Sequence, residues 1–332
     1  MCESGSMVET LMQQELSDGY DPMGNPVADV DRGQFVLGYG ACALAGCLWG
    51  TGFFFGKIAL AEMGVAHMVF YRFLFTCLVL APLVLRHPAR LSGAEWRVLL
   101  LASFLGVPVQ FLVQFYGLSL TTVSHASLMV GTLPVLLAVA ASIFAHERLD
   151  AVGWLALMGS TAGVALIVLG GTPAISNGRG PSIAGDLLVV LSLVIALAWI
   201  LLNKRLMQRH SPVVVTSYGL LSGATMLAVV VLAARGVPPV HGVSARAWLA
   251  LAASGVLCTA STTLLWNWGI HRVPASRAGV FLNLEPAMGS ILGVHLLGDR
   301  LGPFAWVGGA LILTAAVTLT TRGRAEIAGS LD

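Results

Sequence analysis

Hydrophobic positions in this chain run in long blocks, without the short alternation of a soluble strand or a one-faced helix. Ten blocks are close to the roughly 20 apolar residues that a helix needs to cross the hydrocarbon core of a membrane. They fall at about 36–60, 67–85, 97–117, 125–145, 152–170, 184–203, 213–233, 246–267, 276–297 and 303–321. Polar residues, Pro and Gly collect between them, and HPARLSGAE (87–95) and GGTPAISNGRGPS (170–182) read as loops. The second loop splits the blocks five and five. The pattern predicts an all-α integral membrane protein with ten transmembrane helices in two five-helix units, 35–170 and 183–322, joined by residues 171–182.

The ends differ from the blocks. Residues 1–34 hold seven of the sixteen acidic residues and a single basic one, Arg32, among Gly, Pro, Ser and Gln. Such a segment is expected to be a disordered acidic tail, and 323–332 a second short tail. Composition supports the membrane reading: 57% of residues are hydrophobic and 10% charged, at a mean hydropathy of +0.84. Soluble domains carry about 25% charged residues, so the lipid bilayer is the expected surroundings. A net charge of +2 gives no reason to expect nucleic acid. The five cysteines show no CxxC spacing and no histidine partners, and read as packing residues. No cofactor and no metal site is expected.

Lys and Arg set the orientation. With the N-terminus in the cytoplasm, cytoplasmic segments hold twelve of them, Arg86, Arg90, Arg205 and Arg209 included. The outer segments hold four: Arg179, Arg235, Arg246 and Arg300. Both termini are expected to be cytoplasmic, in a multi-pass protein of the cell (inner) membrane.

The chain also repeats itself. Gly117–Leu149 aligns without gaps on Gly269–Leu301 at an offset of 152, placing Ser124 on Ser276, Pro134 on Pro286 and Glu147-Arg148-Leu149 on Asp299-Arg300-Leu301. The copies stand five spans apart, an odd number, so they are expected to cross the membrane in opposite directions. Inverted halves are a mark of secondary transporters, in which one half moves against the other around a site near the midplane.

Trp49-Gly50, Tyr71-Arg72-Phe73, a proline in the fourth and ninth spans, and the stretch LNLEPAMGSILGVHLLGDRL together resemble the EamA family of the drug/metabolite transporter superfamily. The resemblance covers about 36–321, with Asp299 standing where the family usually has Glu. It implies a basket of ten helices around a central cavity, and export of small metabolites such as amino acids, or of drugs.

Glu285 is the foremost candidate for chemistry. It lies about 14 Å into the ninth span at 1.5 Å per residue, where a charge must be protonated, paired or facing water. It reads as a proton-coupling group or a counter-charge for an amine, and equally as a structural hydrogen-bonder at the break made by Pro286. Pro134 marks the matching helix break in the first half. Gln110 and Gln114 share a helix face, and their counterparts Thr262 and Trp266 lie beside Asn267. These five, with Trp49 and Trp199, are candidates to line a substrate cavity; hydrogen-bonded glue between helices is the alternative for the polar ones. Lys57 and Arg72 read as interfacial snorkelling residues or an outer gate. His125 reads as an interfacial hydrogen-bonder.

No HExxH, GxSxG or P-loop is present. The expected function is a secondary exporter of small amphipathic solutes, amino acids first, working by alternating access, with proton coupling as an option. A facilitative uniporter or an uptake carrier is the alternative, and a membrane-embedded lipid-modifying enzyme is the alternative of another class. The sequence does not address oligomeric state.

Overall fold

A computed structural model describes residues 28–86, 88, 90–136, 139, 151–169, 181–270 and 279–322. Among these there are helices and connections and no strand. The helices are α1 (Ala28–Leu60), α2 (Val65–Arg86), α3 (Gly93–Leu120), α4 (Val123–Leu136), α5 (Ala151–Leu169), α6 (Ile183–Met207), α7 (Pro212–Arg235), α8 (Ala245–Gly269), α9 (Leu284–Leu296) and α10 (Pro303–Arg322). Six of them (α1, α2, α3, α6, α7 and α8) are long and apolar enough to cross a membrane, and α4, α5 and α10 are shorter apolar helices. α1 starts at Ala28, so part of the expected tail is helical. Glu147 and Ser276 lie outside the described residues.

Local sequence fixes the helix starts. Ser92 and Glu95 form a reciprocal capping box on α3, while Thr122, Ser182 and Ser244 each accept a backbone N–H at the start of α4, α6 and α8. Pro212 opens α7, where a missing N–H costs nothing. Breaks precede both marked prolines. α4 is interrupted by a turn at Gly131-Thr132 just before Pro134. A short 3-10 helix, Gly279–Asn283, leads into α9 and places Pro286 in its first turn.

Helices meet where side chains are small, as in membrane bundles generally. A Cβ on Gly163 of α5 would stand 2.6 Å from Gly308 O of α10, and Gly117 of α3 abuts Gly185 of α6 in the same way, at 2.9 Å from its carbonyl oxygen. Under the offset Gly117 corresponds to Gly269, whose Cβ would stand 2.9 Å from Gly38 O of α1. Each half thus lays its third helix against the first helix of the other half. The ends fix the directions: the end of α3 meets Lys57 near the end of α1, whereas the start of α8 meets Glu62 just beyond α1. α3 and α8 therefore run oppositely.

The repeat also holds in detail that no sequence pattern announces. α3 contains a π-turn at Leu105–Val109 and α8 one at Val256–Ser261, at the same offset of 152 within a residue. A π-turn carries one extra residue and is often found at functional sites.

Candidate functional site

Four consecutive residues of α1, Trp49-Gly50-Thr51-Gly52, reach four parts of the bundle. Trp49 meets Trp266 of α8 with ring centroids 5.5 Å apart. Gly50 lets α1 close on α9, since a Cβ there would lie 2.5 Å from Glu285 O and 2.7 Å from Met288 Cβ. Thr51 Oγ1 is 3.0 Å from Cys258 Sγ in the α8 π-turn. Gly52 faces Arg72, whose terminal nitrogens would both lie 3.8 Å from a Cβ at that position.

Arg72 is the eighth residue of α2 and is 5% exposed. Its Nε donates to Thr259 Oγ1 at 3.0 Å, within the π-turn, and Thr259 Oγ1 in turn donates to Ser254 O at 3.1 Å. The guanidinium lies 5.1 Å from the centroids of both Phe111 and Phe115, whose rings stack in parallel on α3. Arginine over aromatic faces is an attractive arrangement, more so away from water. Glu285, half-buried in the first turn of α9, is the acidic group from the other half that is close enough for its charge to act on Arg72, without an ion pair between the two. A charge inside a membrane protein calls for such a counterpart. Trp49, Trp266, Arg72 and Glu285 are thereby gathered around α1.

The other candidates lie elsewhere. Gln110 Nε2 donates to Gln114 Oε1 at 3.3 Å, on the turn that follows the α3 π-turn. Asn267 donates to Thr216 Oγ1 of α7 at 3.2 Å, and Thr262 donates to Thr259 O in its own helix. Trp199 of α6 packs against Gly106. Lys57 and Arg72 are not partners: Lys57 Nζ donates to Leu118 O at 2.7 Å and to Thr121 O at 2.5 Å at the end of α3, where a cation meets the helix dipole favourably.

Sequence reading missed Asp186. It sits in the first turn of α6, 2% exposed, and accepts from Thr121 Oγ1 at 2.5 Å, with its other oxygen 3.0 Å from His125 Nδ1. His125 is also 2% exposed. The signal available was the polar run Thr121-Thr122-Val123-Ser124-His125 between two apolar blocks.

At this same end three carboxylates tie the halves together: Asp186 to Thr121 and His125, Asp299 to Ser124, and Glu62 to Ser244. At the opposite end Glu95 of α3 approaches His210 at 3.1 Å. A cleft of about 440 Å³ opens there between Glu95, Val98, Leu202, Arg205 and Arg209, away from Arg72 and the aromatic pair. It contains none of the residues proposed from the sequence to line the cavity, form the gate or couple protons. Among the described residues no group of three or more His, Cys, Asp or Glu could hold a metal ion.

Two matching helical halves, joined by charges inside an apolar bundle, define a membrane transporter. The sequence profile of the EamA-like transporter family matches residues 36–169 and again residues 183–321, and the chain belongs to that family. An uncharacterized transporter of Archaeoglobus fulgidus is 27% identical over 281 residues, which is 84% of this chain and 95% of the relative. A probable terminal-alkyne amino-acid exporter of Streptantibioticus cattleyicolor is 23% identical over 292 residues, 85% and 93% of the two chains. A solved crystal structure shares the fold, with a TM-score of 0.59 and 19% identity, covering 87% of this chain and 96% of that one.

Proposed function

We propose that this transporter exports small amphipathic solutes, amino acids first, by alternating access between two inverted five-helix halves that together cross the membrane ten times. The observation that supports the reading is the placement of Arg72 from the first half and Glu285 from the second against consecutive residues of α1, Gly50 to Gly52, next to Trp49 and its partner Trp266. A zwitterion presents a carboxylate and an ammonium a few ångströms apart. Arg72 and Glu285 offer the complementary charges, and the indoles offer apolar surface to a side chain. The relative named as a probable amino-acid exporter supports this class of solute. We place both termini in the cytoplasm and the protein in the inner membrane, following the distribution of Lys and Arg. Glu285 is also the group we assign to proton exchange with the solute.

The test is counterflow of radiolabelled amino acids into proteoliposomes loaded with the unlabelled compound. Counterflow is expected for the wild type and is lost in Glu285→Gln and in Arg72→Gln. An imposed pH gradient, acid on the side that receives the solute, should accelerate wild-type efflux. Absence of counterflow for every amino acid, or full counterflow in both variants, would sink the reading. Flux that ignores the pH gradient would instead favour a uniporter.

A further inference from the structure

We propose that His125 and Asp186 form a proton-binding site on the seam between the two halves, separate from the Glu285 site. Three observations carry it. The pair is buried, at 2% exposure each, in an apolar bundle. It spans the halves, with His125 on α4 of the first and Asp186 on α6 of the second. And one nitrogen of the imidazole, Nε2, is buried without a hydrogen-bond partner among the described residues. A buried polar atom left without a partner is rare and calls for a reason.

The hydrogen bonds place the protons. Thr121 Oγ1 donates to one oxygen of Asp186, and the other oxygen lies 3.0 Å from His125 Nδ1. An ionised Asp186 can only accept, so with the acid ionised its contact to Nδ1 puts the ring proton on that nitrogen. Nε2 then keeps its lone pair. A proton arriving there converts the imidazole to imidazolium against the Asp186 carboxylate, with no other bond made or broken.

Among the described residues few other charges face the site. From α1 comes Lys57, tied to the carbonyl oxygen of Thr121, so that Thr121 bridges the ammonium and the carboxylate. From beyond α9 comes Asp299, bonded to the neighbouring Ser124. α9 also carries Glu285, in its first turn, while His295, Arg300 and Tyr116 of α3 are exposed. Lys57, Asp186 and Asp299 already carry charge there, and a proton on Nε2 adds one positive charge to the cluster.

The consequence follows from the seam. If α4 and α6 part, the proton on His125 loses its counter-charge, while Thr121, at the end of α3 packed on α6, stays with Asp186. Proton occupancy is thereby linked to whether this end of the bundle is closed. This linkage rests on the alternating-access reading; the proton site itself does not.

The experiment is ¹⁵N-histidine NMR of the full-length protein in lipid nanodiscs, followed from alkaline to acid pH, with the His125 signal identified by its loss in His125→Gln. Expected is a passage of His125 from the Nδ1–H neutral tautomer to imidazolium, displaced in Asp186→Asn while the other histidines are unmoved. If Asp186→Asn does not fold, Thr121→Val removes one donor to the carboxylate and should displace the same transition. An imidazole that stays one neutral tautomer throughout, or a transition that neither variant moves, overturns the proposal. The NMR measurement needs no substrate, so absence of amino-acid counterflow leaves it intact.

Discussion

Asp299 Oδ2 accepts both the backbone N–H of Ser124, at 2.9 Å, and its hydroxyl, at 3.0 Å. A carboxylate from the connection between α9 and α10 of the second half thus holds the start of α4 in the first. Gly293 makes room for it, since a Cβ there would lie 2.6 Å from Asp299 Oδ2. Caps of this kind contribute about 1 kcal/mol. Asp299→Asn and Ser124→Ala should each lower thermal stability in detergent by that order. The double variant should lose no more than the larger single loss, because both act on one contact. Strict additivity would show that the two residues act independently.

Arg72 and Glu285 should show the opposite kind of coupling. Arg72 is buried and Glu285 half-buried, so removing either leaves the other charge inside the bundle without its counterpart, which is unfavourable. Arg72→Gln and Glu285→Gln should each destabilise the protein, and the double variant should recover part of the loss without recovering transport. Thermal unfolding of the four proteins, alongside counterflow, tests this; a double variant less stable than either single one excludes the coupling.

Glu62 lies outside the spans, in the connection between α1 and α2. The Ser244 hydroxyl first, and the Ser244 backbone N–H next, hold its carboxyl below the ordinary glutamate range. A lowered value in the folded protein means that the contact is fully present above the ordinary range, near pH 4.3, and fades as pH falls through the lowered value. Glu62→Gln should therefore be less stable than wild type at neutral pH, and the two should converge on acidification. A difference that grows toward acid would contradict the assignment.

Gly163 and Gly308 are each closed off by the other's carbonyl oxygen, at 2.6 and 2.5 Å from the added Cβ. Ala at either position should force α5 and α10 apart at a cost of about 1–3 kcal/mol. Gly159→Ala in the same helix, whose Cβ would meet Ala315 Cβ at an ordinary 3.7 Å, should be near neutral. Equal effects at the two sites, read by thermal unfolding, would remove the packing explanation.

Much of the architecture was legible because rare residues stand out in an apolar chain. Glu285-Pro286 declares a break with a charge beside it, and the shared proline gives the offset that relates the halves. Arg72 was harder. Its short distance from the start of α2 suggests an interfacial residue, yet α8 closes over it and Thr259 takes its Nε. Asp186 escaped because its burial depends on Thr121 and His125, more than sixty residues earlier. The π-turns left no common mark: Pro108 lies in one, and Ala260 stands at the matching position in the other.

Those two turns bear on history. A feature present in both halves at one offset belongs to the single five-helix unit from which the chain was doubled. Thr259 and Arg72 do not share that status: their counterparts are Val107 and Ala224, and Val107 packs on Gly223. Glu285 has Leu133 for its counterpart. In a pair of identical subunits every charge occurs twice, related by the axis between them. Arg72 and Glu285 have no charged counterparts at the matching positions, so the two copies in this chain have diverged there.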